Sequence, residues 1–112
     1  MKRRALEAVE KLLSALQKRG IRIKEAYLFG SYARGDFLET SDVDLVIVSE
    51  DWKDMKFLDR LDLVYKVEWE EGISPWVEVL PLTPEELERR SAVLEDARKY
   101  WVKVMSPAGA EG

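Results

Sequence analysis

Two aspartates, two residues apart in an otherwise apolar run, are the first chemical signal in this 112-residue chain. The segment Asp42-Val43-Asp44-Leu45-Val46-Ile47-Val48 alternates as a β-strand does. Asp42 and Asp44 therefore project to one face, and Val43, Leu45 and Ile47 to the other. Neighbouring carboxylates repel, and covering them unpaired is costly. A bound divalent cation removes that cost, and so does a solvated polar strand face. The aspartate face continues as Val46 and Val48, which speaks for a partly covered surface and hence for the cation. Glu78 is a second signal, one acid inside the apolar run Trp76-Val77-Glu78-Val79-Leu80. If the two strands are neighbours, Glu78 reaches the aspartates, and three carboxylates can hold two magnesium ions for an in-line displacement at phosphorus. An exposed residue on an edge strand is the plainer alternative for Glu78.

A third signal is Gly30-Ser31, which follows the apolar run Ala26-Tyr27-Leu28-Phe29. A glycine between a strand and a helix lets a phosphate approach the backbone. The free N–H groups of a helix start, with the helix dipole, attract the anion, and the serine hydroxyl adds a donor. The same pair also serves as an ordinary turn with an N-cap.

The elements that must position these residues can be read from pattern. Ala5, Val9, Leu12, Leu13 and Leu16 fall on one face of an N-terminal helix that Gly20 ends. Residues 26–29 read as a buried strand, with a short helix opening at or just after Ser31 and a loop over 36–41. Residues 42–48 form the next strand. Residues 56–69 read as a helix with Phe57, Leu58, Leu61, Val64 and Tyr65 grouped on it, broken at Glu71-Gly72. Trp76 to Leu80 is a third strand, entered through Pro75. Thr83 caps a last helix, with Pro84 at its first position, Glu86 completing a capping box, and Leu82 and Leu87 placed as a hydrophobic staple. Leu87, Leu94, Ala97, Trp101 and Val104 extend that helix along one apolar face. The expected fold class is α/β (α+β), a small three- to four-stranded mixed sheet packed with helices. One domain over residues 1–106 is expected, followed by a small polar C-terminal tail over 107–112.

Composition excludes several chemistries. The chain has no cysteine and no histidine, so it has no disulfide, thiol nucleophile or imidazole base. Any metal it binds sits on oxygen ligands, which points to magnesium or manganese. No run resembles a signal peptide or a membrane span, and a cytoplasmic location is expected. The net charge is −4. Residues 1–35 carry nine Lys/Arg and three Asp/Glu, whereas residues 36–112 carry nine and nineteen. That acidic majority argues against general nucleic-acid binding. So small a domain gains from an added subunit or partner, and an oligomer is one possibility.

In combination the signals are far more specific than singly. Gly30-Ser31-Tyr32-Ala33-Arg34-Gly35-Asp36, ten residues between Ser31 and Asp42, the Ser41-Asp42-Val43-Asp44-Leu45 segment and a later strand acid resemble the DNA polymerase beta nucleotidyltransferase superfamily. Within it the chain is similar to the minimal nucleotidyltransferases, over residues 5–105. The resemblance implies the nucleotidyltransferase fold, with Gly30 and Ser31 holding the triphosphate of ATP or another NTP. It implies Arg34 near the phosphates or acceptor, and Asp42 and Asp44 binding two Mg2+ ions, or Mn2+. Glu78 would bind the catalytic ion and help take the acceptor proton, although aspartate is commoner at that place. The implied activity is transfer of a nucleotidyl group, AMP above all, to a hydroxyl with release of pyrophosphate.

Stand-alone minimal nucleotidyltransferases often pair with a helical HEPN-domain protein in toxin–antitoxin systems, so the resemblance implies such a partner, with a tyrosine of it as acceptor. Two alternatives are a nucleotide- or protein-binding antitoxin module without catalysis and a small antibiotic nucleotidyltransferase. Of the four tryptophans, Trp52 stands in a charged loop; core packing could hold it there, whereas exposure beside the metal site, the expected case, would suit partner docking. Trp69, Trp76 and Trp101 are expected in the core.

Overall fold

The computed structural model describes residues 2–29, 43–90 and 101–104. Helix α1 (Lys2–Lys18) is followed by strands β1 (Glu25–Phe29) and β2 (Val43–Val48) and by a 3-10 turn at Glu50–Asp54. Helix α2 (Phe57–Glu71) leads to β3 (Val77–Leu82), residues 84–90 form helix α3, and β4 (Val102–Val104) follows. The short helix at Ser31, the loop over 36–41 and the tail over 107–112 lie outside the described residues.

The four strands lie in the order β3-β2-β1-β4. β1 runs antiparallel to both β2 and β4, while β2 and β3 are parallel, so the sheet is mixed as expected. α1 and α2 cover one face. Ala5, Val9, Leu12, Leu13 and Leu16 of α1 pack there with Ala26, Leu28, Val43, Leu45, Ile47, Val77 and Val79. Burying each large aliphatic side chain in such a cluster contributes about 1.5–3 kcal/mol. The opposite face carries a smaller cluster of Val46, Val48, Leu82 and Leu87, with Tyr27, Phe29, Leu80 and Trp101 against it. β2 is therefore covered on both sides beyond Asp44, which explains its nearly unbroken apolar run.

Both long helices end as their glycines require. Gly20 has φ +92°, the Ile21 N–H bonds the Leu16 carbonyl at 3.1 Å, and the Gly20 N–H bonds that of Gln17 at 3.0 Å. Gly72 has φ +64°, with Ile73 N–H on the Glu68 carbonyl at 3.0 Å. Each is a Schellman ending, in which glycine takes a left-handed conformation without Cβ strain. At α3, Glu86 N–H bonds the Thr83 hydroxyl at 3.1 Å and the Glu86 carboxylate accepts the Thr83 N–H at 2.8 Å. This reciprocal capping box, with Leu82 and Leu87 in one buried cluster, matches the pattern-based expectation.

Four expectations are corrected. The apolar face expected to carry the last helix through Trp101 and Val104 does not do so at its end, because Val102–Val104 is a strand on the β1 edge, with Ala26 opposite Val104. The buried face of α2 is not the Phe57–Leu58–Leu61 group: Leu58 is 71% exposed, while Arg60, Val64, Val67 and Glu68 are buried. Trp52 is fully buried, and its indole N–H donates to the Ile47 carbonyl at 3.1 Å. The 3-10 turn after β2 rolls that side chain into the core, so Trp52 serves packing and not partner docking. Trp69, expected inside, is 80% exposed because its position on α2 faces away from the sheet.

Candidate active site

The sheet brings Asp44 and Glu78 together. In the parallel β2–β3 pair they are register partners, as are Val43 with Val77 and Leu45 with Val79 on either side. Because Val43, Leu45, Val77 and Val79 all face α1 and α2, both acids project to the opposite face. Asp44 is half-buried and Glu78 is exposed. On the other side of Asp44 its register partner is Phe29, the last residue of β1. The acid pair thus sits where β1 ends and β2 and β3 begin. Gly30 follows Phe29 in sequence, and Asp42 precedes Val43. Gly30, Ser31, Arg34 and Asp42 lie outside the described residues, and among the described residues no three acidic side chains converge on one point.

The apolar wall beside the acids is aromatic. Trp101 packs at 5.6 Å from Tyr27 and 6.0 Å from Phe29, both rings tilted. Two hollows, one lined by Arg4, Glu7 and Lys11 and one by Phe57, Glu86 and Arg89, lie away from Asp44 and Glu78.

Sequence reasoning missed the supporting residues, which come from α2. Glu68 is fully buried and its Oε1 accepts the Val77 N–H at 2.8 Å, while Oε2 has no hydrogen-bond partner among the described residues. Burial pushes the Glu68 carboxyl up to about 7; the bond from Val77 opposes the rise and the charge of Glu78 adds to it. Tyr65 packs its ring 5.3 Å from Trp76. Burial raises the Tyr65 phenol, the Val79 N–H lowers it, and Glu78 and Glu68 raise it further. Arg60 donates to the Pro81 carbonyl at 3.1 Å and pairs with Glu86 at 2.7 Å. Polar residues at α2 positions 60 and 68, on the helix side turned toward the sheet, are the one signal that could have found them.

The donor set fits a hard divalent cation: Asp44 and Glu78 offer carboxylate oxygens from adjacent strands on one accessible face. A mixed four-stranded sheet, two covering helices and an acid pair at one sheet end define a nucleotidyltransferase-like domain. Residues 9–100 match the family model described as a nucleotidyltransferase domain, and the chain belongs to that family.

Two relatives in Methanocaldococcus jannaschii carry the provisional name protein adenylyltransferase. One is 50% identical over 46 residues, covering 39% of this chain and 45% of the relative. The other is 39% identical over 74 residues, covering 66% and 73%. The chain therefore spans just under half of the first relative. A nucleotidyltransferase-like crystal structure from Sulfolobus solfataricus, itself provisionally named, superposes with a TM-score of 0.65 at 26% identity, over 92% of this chain and 81% of that one. A toxin–antitoxin crystal structure containing AMP-PNP superposes with a TM-score of 0.58 at 22% identity, over 86% and 71%, a likeness of fold. Among the described residues no helix is long and apolar enough to cross a membrane.

Proposed function

We propose that this chain transfers AMP from ATP to a hydroxyl of a second protein, releasing pyrophosphate. The observation that carries the proposal is the register pairing of Asp44 with Glu78 on one open face, at the sheet end from which the segment containing Gly30 and Ser31 departs. Family membership and the names of the two archaeal relatives support the same reading.

In this reading Asp42, Asp44 and Glu78 would hold two Mg2+ ions, with Mn2+ as a substitute. Bound divalent ions supply charge neutralisation along the triphosphate and at the attacking and leaving oxygens. Gly30 and Ser31 bind the triphosphate through backbone N–H groups and the hydroxyl, and Arg34 adds a cation beside it. The acceptor oxygen bonds to the α-phosphorus as the bond to the β-phosphate bridging oxygen breaks. Glu78, exposed at the strand edge, receives the acceptor proton on its carboxylate. The proposed acceptor is a tyrosine of a HEPN-type toxin, which makes this chain a cytoplasmic antitoxin. The fold likeness to the toxin–antitoxin structure is consistent with that role.

The test is incubation with labelled ATP, Mg2+ and the product of an adjacent reading frame, followed by mass spectrometry of both chains. An AMP adduct on the partner, lost with Asp44→Asn, is expected. Partner neutralisation that survives Asp44→Asn with no adduct would establish a binding module instead.

A further inference from the structure

α2 buries one side against the sheet and leaves a second apolar side open. Arg60, Val64, Val67 and Glu68 face inward. Leu58, Leu61, Tyr65 and Trp69 recur at steps of three and four residues, so they form a single ridge along the helix. Its two ends are the most exposed large apolar side chains among the described residues, Leu58 at 71% and Trp69 at 80%. Leu61 and Tyr65 between them are half-buried, and the Tyr65 ring is braced against Trp76. Contiguous apolar surface rimmed by charge marks a contact site, whereas scattered apolar side chains do not. At a rise of 1.5 Å per residue the ridge is about 16 Å long, enough for one helix to lie along it.

The charges beside the ridge decide what fits it. Asp62 and Lys66 are exposed, one turn apart on the same flank, and neither makes an ion pair among the described residues. A second α2 can lie antiparallel on the first, related by a two-fold axis level with residues 63–64. Leu58 of each copy then meets Trp69 of the other, and the ridge is covered from end to end. Like flanks come together in an antiparallel helix pair, so Asp62 of each copy stands beside Lys66 of the other. The two-fold axis makes that charge contact twice. A parallel pair about a two-fold axis would instead set Asp62 against Asp62 and Lys66 against Lys66, which is repulsive. The ridge is therefore complementary to its own reversed copy.

We propose that the outer side of α2 is a homodimer surface, on which a second copy of this chain packs its own α2 antiparallel. α2 covers the sheet face opposite Asp44 and Glu78, so the pair leaves both acid faces open. The inference does not rest on the activity proposed above. One helix ridge on each side covers less than the roughly 800 Å2 per partner of a standard interface, so a dissociation constant on the order of 10–100 µM is expected. At a few micromolar the chain is then a monomer, and loss of the exposed Trp69 side chain leaves the stability of that monomer unchanged.

The experiment is sedimentation velocity of the full chain from about 5 to about 500 µM, on either side of that dissociation constant. Wild type, Trp69→Ala, Asp62→Lys and Lys66→Asp are compared, with circular dichroism of each at the lowest concentration to show that the fold is kept. Wild type is expected to pass from monomer to dimer, and Trp69→Ala to raise the dissociation constant about tenfold or more. Asp62→Lys and Lys66→Asp should each associate less than wild type when alone. An equal mixture of the two should dimerise as wild type does, because every contact in the mixed pair again joins opposite charges. A wild type that stays monomeric throughout would overturn the proposal. Association that Trp69→Ala leaves untouched would place the contact elsewhere and overturn it too. A mixture that associates no better than its components would remove the antiparallel pairing. A chain that is monomeric alone but binds a different protein through Trp69 would assign the ridge to that partner and deny it to a second copy.

Discussion

The fully buried Glu68 carboxylate accepts the N–H of Val77, the residue before Glu78, at 2.8 Å, and so ties α2 to the start of β3. Burial lifts its carboxyl to about 7 from an ordinary 4.5. Between those two values the native chain holds a proton that the unfolded chain has released. Stability from this group is therefore present below about pH 4.5 and is lost as pH rises through about 7. The expected loss is on the order of 3 kcal/mol. The melting temperature of metal-free protein should fall between pH 5 and 8. Glu68→Gln, which retains an acceptor for Val77 and carries no charge, should be nearly flat over that window and more stable than wild type above it. Parallel pH profiles of the two proteins would remove Glu68 as the cause.

Arg60 is the opposite kind of buried charge, one whose every neighbour is matched to it. It donates to the Met55 carbonyl at 3.0 Å, to the Pro81 carbonyl and to both Glu86 oxygens. The Arg60 guanidinium holds the Glu86 carboxyl below its usual value, so this contribution is present above pH 4.5 and lost as pH falls through the lowered value. The Arg60 side chain is 6% exposed but that of Glu86 is 32% exposed, so losing Arg60 strands no fully buried charge and costs about 1–3 kcal/mol. Arg60→Met should destabilise by that order in urea unfolding near neutral pH, and by less at pH 3. A loss below about 1 kcal/mol at neutral pH would contradict the burial seen here.

Much of this was legible in the chain because the signals were local. Gly20 and Gly72 end helices by backbone conformation alone, and Thr83 with Glu86 caps a helix within four residues. The Asp44 strand was readable because a six-residue run of β-branched and other apolar residues, interrupted once by Asp44, suits a short buried strand. The parallel register that sets Glu78 opposite Asp44 is a long-range pairing and could only be posed as a condition. β4 is three residues long, too short to show a period, and Trp101 continues the seven-residue spacing of Leu87 and Leu94, with Val104 one helical turn further on. On α2, hydropathy assigns Leu58 inward and Arg60 and Glu68 outward. The open edge of β3 reverses this, because its unpaired backbone groups require polar partners. The polymerase-like site pattern named Asp44 and Glu78 but carried no sign of Glu68.

The acid pair makes a separable prediction about activity and stability. Asp44→Asn should abolish AMP transfer, by at least about 100-fold, since it removes a proposed metal ligand. The metal-free fold should remain intact or become slightly more stable, because one charge opposite Glu78 is lost and the amide is isosteric. Mg2+ with ATP should stabilise wild type by about 2.7 kcal/mol at a hundredfold excess over the dissociation constant, and should leave the variant unmoved. Melting curves with and without Mg-ATP measure both effects. Equal stabilisation of the two proteins would deny Asp44 its role.

The tryptophans separate core from surface. Trp52 fills the core after β2 and satisfies its indole N–H on Ile47, so Trp52→Ala removes packing and one buried hydrogen bond. The expected cost is about 3–5 kcal/mol, enough to unfold much of so small a domain. Trp69, on the outer side of α2 and 80% exposed, should behave in the reverse way: Trp69→Ala should change stability by no more than about 0.5 kcal/mol. Urea denaturation of the two single variants, read by circular dichroism so that loss of a fluorophore does not confuse the comparison, measures the difference. A large loss in Trp69→Ala together with a small one in Trp52→Ala would reverse the burial of the two side chains and, with it, the packing of the 3-10 turn against β2.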